Sequence, residues 1–358
     1  MLPICIMHQI TVLPLHHGKA PRWLFNRMVK LGGAISEVII DEFGADGLLA
    51  RLSDSNWLQA LACTIGYDWH SSGSTTVTMG ALKEALNSTG CVFIAGGKGN
   101  AGKSTPDEIE KGCDLLGVSH SEKLVEFSRL AAKVDSSMVY DKIGIYHHTF
   151  AFSESGKWCV VQQAMRYNTN EAIRFQWFSE TVDENDIANE PHSGISTTLK
   201  EVSADLTYEK NKHIREGTAS VLDEARRIVK EYPSRHEILP SLDISKKGIE
   251  IIERASELSP KDYKELLLIK GVGRSTIRSL AFIASLIYNE EIAYRDPVAF
   301  SYNLGGKDGI PFRVNKRTYD SVIEAMRLIV DNARIERREK YLALRRLSSE
   351  VAGEKGSV

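Results

Sequence analysis

Asp135, His147, His148, Gln162 and Gln163 are the residues of this sequence best suited to acid–base or metal-assisted chemistry. The histidines lie in a β-rich run with Ile143, Ile145, Tyr146, Phe150 and Phe152. Ser153-Glu154-Ser155-Gly156 reads as a turn and Lys157 to Gln163 as the returning strand. Such a hairpin brings His147 and His148 across from Gln162 and Gln163, with Asp135 or Asp141 nearby. Adjacent strand residues point to opposite faces, so only one of the two histidines can join a given site. A second polar group lies in Gly66 to Thr76, where Asp68, His70 and five hydroxyl residues stand beside Tyr67 and Trp69. It suits the wall of a pocket.

A different chemistry is written in Leu266-Leu267-Leu268-Ile269-Lys270-Gly271-Val272-Gly273-Arg274-Ser275-Thr276-Ile277. Two glycines flank one apolar residue between two helical patterns. The second pattern carries Ile277, Leu280, Ala281 and Ala284 on one face. The glycines permit a sharp turn and free the backbone N–H groups that open the second helix. Such groups, with the helix dipole behind them, bind phosphate oxygens. This is the pattern of a helix-hairpin-helix, which grips duplex DNA by its backbone without reading bases. Gly271, Val272, Gly273, Arg274, Ser275 and Thr276 are its expected DNA contacts.

Helices are expected to position these groups. One starts at Pro21; another covers 34–51 and ends near Gly44; a third, capped by Ser53 or Asp54, covers 53–65; a fourth runs from Val77 to Leu86. After a short strand at Cys91–Ala95, Gly97 to Ser104 matches the phosphate-loop spacing G-x-x-x-x-G-K-S. Thr105-Pro106-Asp107-Glu108 is a helix start of its own, which would leave Lys103 in the loop, and Val38 to Glu42 reads as helix rather than as a metal-binding strand. A glycine-rich loop with two lysines that touches phosphates only in passing is the reading preferred to a nucleotide site. Helices are expected at 106–117 and 120–133, an irregular linker at 166–204 in which the aromatic cluster Phe175, Trp177 and Phe178 is strand-like, and helices at 205–231, 245–258, 261–270, 275–288 and Lys316 to about Leu347.

The chain has 358 residues, 42% hydrophobic and 26% charged, with net charge −2, ordinary values for a soluble globular protein. Residues 246–358 carry a net charge of about +5 and the rest about −7, so the basic half is the half with the hairpin. No apolar run is long enough to span a bilayer and no signal peptide is read, so no membrane partner is expected. Five scattered cysteines without CxxC spacing point to a reducing cytoplasm.

The hairpin also resembles that of the HhH-GPD superfamily of base-excision DNA glycosylases. That resemblance implies an aspartate some twenty residues later that stabilises the sugar cation or activates water, and Asp296 stands in about that place. The lyase-competent branch has a catalytic lysine just before the position of Thr276; here it is Ser275, which implies a monofunctional enzyme. The cysteine-ligated cluster of that superfamily is missing. Over residues 10–330 the chain is more similar to the mainly archaeal family catalogued as domain of unknown function number 763. The similarity rests on "LPLHHGKAPRWLF", "GYDWHSSGSTT", "LAAKVDSSMVYD", "PHSGI" and "RDPVAFSYNLGGKDGIPF".

The expected fold is α+β and mainly helical: an N-terminal domain over 10–190 with a small antiparallel sheet, a helical domain over 205–347 with the hairpin, and a flexible tail at 348–358. The expected function is DNA binding in repair, with Asp296 as the carboxylate of a glycosylase. One alternative is a metal-assisted nuclease using Asp135, His147 or His148, Gln162, Gln163, Asp68 and His70, with a divalent metal as its cofactor. The other is a DNA-binding protein without catalysis.

Overall fold

The computed structural model describes residues 20–67, 72–167, 172–197, 201–231, 246–297, 328–333 and 335–352. Asp68 and His70 lie outside the described residues. The fold is α+β and mainly helical, built on one five-stranded antiparallel sheet in the order β1-β2-β3-β4-β5. The strands are β1 (Val92–Lys98), β2 (Ile143–Ser153), β3 (Trp158–Arg166), β4 (Ala172–Phe178) and β5 (His192–Ser196).

Antiparallel sheets often leave one face to water. This one is covered on both, and its strand sequences alternate between two cores. Val92, Ile94, Ala151, Cys159, Val161 and Phe178 pack under the helices α1 (Arg22–Leu52), α2 (Ser55–Thr64) and α3 (Gly73–Leu86). Phe93, Ala95, Phe150, Phe152, Trp158, Val160 and Trp177 face the other way. There they meet α5 (Thr105–Leu116) and α6 (Ser121–Val134), beyond a single turn α4 (Asn100–Lys103). Trp158 stacks on Phe127 of α6 and on Phe150, with ring centroids 5.1 and 5.4 Å apart.

The same core continues without a break into α7 (Lys212–Ser220), α8 (Leu222–Glu231), α9 (Lys246–Leu258), α10 (Tyr263–Leu268) and α11 (Arg274–Tyr288). A last helix, α12 (Arg337–Ala352), returns to α2 and adds Ala343 to the first core.

Several expectations shift in position. The helix from Pro21 continues to Leu52, with Gly44 at φ 76° kinking it where it was expected to end. Helix α2 is capped by Asp54, whose carboxylate accepts the N–H groups of Asn56 and Trp57 at 2.8 Å. Helix α3 begins at Gly73, four residues earlier than expected, which places Ser74 and Thr75 in its first turn. The stretch 166–204, expected as a linker with a strand-like cluster at Phe175 to Phe178, supplies that strand as β4, every residue of it buried, and also β5, where a loop was expected. The helix expected over 205–231 is divided at Val221, and the final helical pattern is interrupted before Arg337.

The phosphate-loop match at Gly97 to Ser104 has the wrong surroundings for a nucleotide site. Its first two residues, Gly97 and Lys98, belong to β1, which pairs antiparallel to β2; Lys103, expected in the loop, closes the helical turn α4; and the Gly96 N–H is held by the Glu108 carboxylate at 2.7 Å.

Candidate functional site

The β2–β3 register sets His148 opposite Gln162 and His147 opposite Gln163. The alternation of the strands then sends the two pairs to opposite faces.

On the α6 face a chain of hydrogen bonds runs through the core. Helix α6 ends in a π-helical turn, Asp135–Val139, whose wider coil turns Asp135 towards the sheet. Asp135 is fully buried. Its Oδ2 accepts from Gln162 Nε2 at 2.5 Å and from Trp177 Nε1 at 3.1 Å, and its Oδ1 lies 2.6 Å from His192 Nε2. Because the Gln162 amide nitrogen donates to Asp135, its Oε1 must accept from His148 Nδ1 at 2.9 Å. That fixes the His148 tautomer, and Nε2 accepts from the Ser128 hydroxyl at 2.8 Å. Burial pushes His148 down to about 4, so the ring is neutral, and pushes Asp135 above the ordinary carboxylate range. Each polar group in this chain has its partner, and both oxygens of Asp135 are in use.

The α3 face is arranged differently. Lys98, His147, Gln163, Arg174 and Ser196 stand opposite one another across β1 to β5. Tyr146, the extra residue of a β-bulge, donates its hydroxyl to Gln163 Oε1 at 2.7 Å. Gln163 Nε2 and Arg174 Nε both donate to Thr75 Oγ1, at 3.2 and 2.8 Å. Arg174 Nη2 donates to Gln59 Oε1 at 2.6 Å and to Ser74 Oγ at 3.3 Å. Arg174 is fully buried and has no carboxylate partner among the described residues; burial pushes its guanidinium down to about 10. His147 is 1% exposed, and neither ring nitrogen has a hydrogen-bond partner among the described residues. Burial, then the neighbouring His148, Lys98 and Arg174, push it down to about 3.

The candidate set Asp135, His147, His148, Gln162 and Gln163 is therefore two sets. Asp135, His148 and Gln162 meet; His147 and Gln163 lie behind the sheet from them. Among the described residues no three His, Cys, Asp or Glu side chains are grouped to hold a metal. Ser128, Trp177, His192 and Arg174 join these clusters in addition to the candidates read from the sequence. A signal for Arg174 was present: in Ile173-Arg174-Phe175-Gln176-Trp177 polar and apolar residues alternate with the period of a strand.

In the hairpin, α10 ends at Leu268 and α11 starts at Arg274. Gly271 sits at φ 96°, a conformation that favours glycine, and is exposed, as are Lys270 and Ser275. No side chain caps α11. Val272 and Thr276 are buried, so their side chains serve packing rather than contact. Arg274 turns inward and donates to Ile143 O at 3.0 Å, and Lys133 Nζ donates to Val272 O. The turn is thus braced against β2 and α6.

Asp296 follows Arg295, which pairs with Ser203 and binds Asp205 at 2.6 Å. Arg278, in the second turn of α11, donates to the neighbouring Ala204 O at 3.1 Å. The Asp296 carboxylate lies close enough to Tyr140 that, after burial, it helps to push that hydroxyl above its usual range.

No helix among the described residues is long and apolar enough to cross a membrane. No curated protein and no solved structure matches the chain. A family model described as "Protein of unknown function (DUF763)" matches residues 9–314, and on that extent the chain belongs to this family.

Proposed function

We propose that the protein binds duplex DNA by its sugar–phosphate backbone through the turn between α10 and α11. The observation that carries this reading is the uncapped start of the 15-residue helix α11 beside exposed Lys270, Gly271 and Ser275. First-turn N–H groups and the helix dipole favour an anion there, and a backbone contact carries no base specificity. The contact set narrows to Lys270, the backbone of Gly271 to Arg274, and Ser275; Val272 and Thr276 hold the turn in shape.

A role in repair with Asp296 as the glycosylase carboxylate is the second reading. It is favoured by the place of Asp296 in the sequence after the hairpin, next to Arg295, whose backbone pairs with Ser203. The metal-assisted nuclease draws no support from Asp135 and His148, whose polar atoms are already engaged.

Gly273→Val is the sharp test. Gly273 has an extended φ of −153°, and an added Cβ would have 3.8 Å to its nearest contact, so the fold tolerates it while the bulk blocks a phosphate. Duplex affinity at low salt should fall about tenfold or more, with a smaller salt dependence. Unchanged affinity in this well-folded variant overturns the proposal. Base release from a lesion duplex without metal, lost in Asp296→Asn, is the outcome the glycosylase reading requires.

A further inference from the structure

One helix start offers a duplex a single foothold, and the cations around the turn decide what else is gripped. Some of them serve the fold. Arg274 donates to Ile143 O at 3.0 Å, Lys133 donates to Val272 O, Arg278 pairs with Asp141 at 2.8 Å, and Arg166 pairs with Glu201. Lys142, Arg254 and Lys270 are not used in this way. All three are exposed, and none enters an ion pair among the described residues.

Two of these cations reach the turn from elements outside the hairpin. Arg254 lies on α9, and a Cβ built on Gly271 would come within 3.0 Å of its Nη2 and 3.4 Å of Ile251. The guanidinium therefore rests against the exposed glycine. Glu250, one turn earlier on α9, makes no ion pair with it among the described residues. Lys142 immediately precedes β2, and the next residue, Ile143, supplies the carbonyl that binds Arg274, the first residue of α11. Its backbone is at φ 55°, the left-handed region where glycine sits more easily than lysine. Tyr167 N donates to the Lys142 carbonyl at 3.1 Å and holds it there. A strained backbone at an exposed residue points to a use for its side chain. The adjacent acid, Asp141, is already taken by Arg278.

We infer that Lys142 and Arg254, together with Lys270, are phosphate contacts that extend the grip of the hairpin along the backbone of a DNA duplex. The inference rests on the reading of the hairpin as a DNA contact. Three elements, α9, the turn and the start of β2, then position the duplex without reading its bases. Each phosphate neutralised releases condensed counterions, so three cations give a slope of log affinity against log salt of about −3.

Duplex affinity of the full chain, followed by fluorescence anisotropy across salt concentrations, tests it. Lys142→Gly removes the charge and relaxes the backbone, so the fold is not put at risk. Arg254→Gln removes the charge and keeps most of the side-chain stem against Gly271. Each should weaken binding about tenfold near about 0.1 M salt, alike for duplexes of different sequence, and reduce the slope by about 1. Lys142→Arg should keep both. Lys111→Gln, at an exposed position of α5, should change neither. An unchanged slope in Lys142→Gly or in Arg254→Gln, with binding still lost in Gly273→Val, overturns this inference and leaves the hairpin reading in place. An equal loss of slope in Lys111→Gln marks a general charge effect and overturns it as well. Absence of duplex binding by the unaltered chain overturns both readings.

Discussion

The two faces of the sheet hold polar groups of similar kind in opposite condition. Towards α6, Ser128, His148, Gln162, Asp135, Trp177 and His192 form a connected chain in which each donor finds an acceptor. Towards α3, a histidine and an arginine that among the described residues have, respectively, no hydrogen-bond partner and no carboxylate partner stand in one cross-strand row. Both regions lie mostly inside the protein, so burial does not separate them; completeness does. A saturated network fixes the π-helical turn against the sheet and, through Lys133, steadies the hairpin. An unsaturated one leaves buried polar groups desolvated without full compensation.

The largest test of this contrast is Asp135→Ala. It removes the acceptor of Gln162, Trp177 and His192 together, and leaves three buried donors unmatched. Stability should fall by about 4 kcal/mol, in the range for breaking a buried charged network. Denaturant melts of the variant measure it. A loss near zero would mean that the α6 face is not the saturated side.

The histidine pair gives the next test, and it is one of sign. His148→Phe strands Ser128 and Gln162 and should cost about 2 kcal/mol or more. His147→Phe removes a ring that satisfies neither nitrogen and should raise stability by about 1 kcal/mol. Adjacent substitutions of the same kind would then move the melting temperature in opposite directions. Equal losses in both would erase the difference between the faces.

How far the sequence reveals these faces depends on sequence distance. The turn Ser153 to Gly156 and the flanking β pattern suffice to set His148 opposite Gln162 and His147 opposite Gln163. Strand alternation suffices to separate the two histidines. The hairpin is legible for the same reason, because its apolar spacing and its glycines are local. Gly44 as a helix break and Asp54 as a cap are equally local. Arg174 and His192 depend on strands β4 and β5, in a stretch whose polar composition suggests a linker. No nearby residue signals that His192 will meet Asp135, 57 positions away, or that Thr75 will meet Arg174, 99 positions away. The site near Arg174 is built almost entirely from such distant pairs.

The test that weighs the two histidines against each other is the response to acid. In the unfolded chain each titrates near 6.5; in the fold His148 is held down to about 4 and His147 to about 3. The fold therefore requires both rings neutral, and the unfolded state binds more protons below 6.5. Their contribution to stability is complete above that pH and is lost as pH falls through the window from about 6.5 to 4 for His148 and on to 3 for His147. Each costs up to about 1.4 kcal/mol per pH unit within its window. Asp135 acts with the opposite sign: its raised pKa makes the neutral carboxyl the better-folded form, so acid relieves part of the loss. Melting temperature followed from pH 7 down to pH 4 should drop, and His147→Phe should remove about half of the histidine slope. A variant with an unchanged slope would show that His147 is not held neutral, and its unmatched ring nitrogens would then have partners after all.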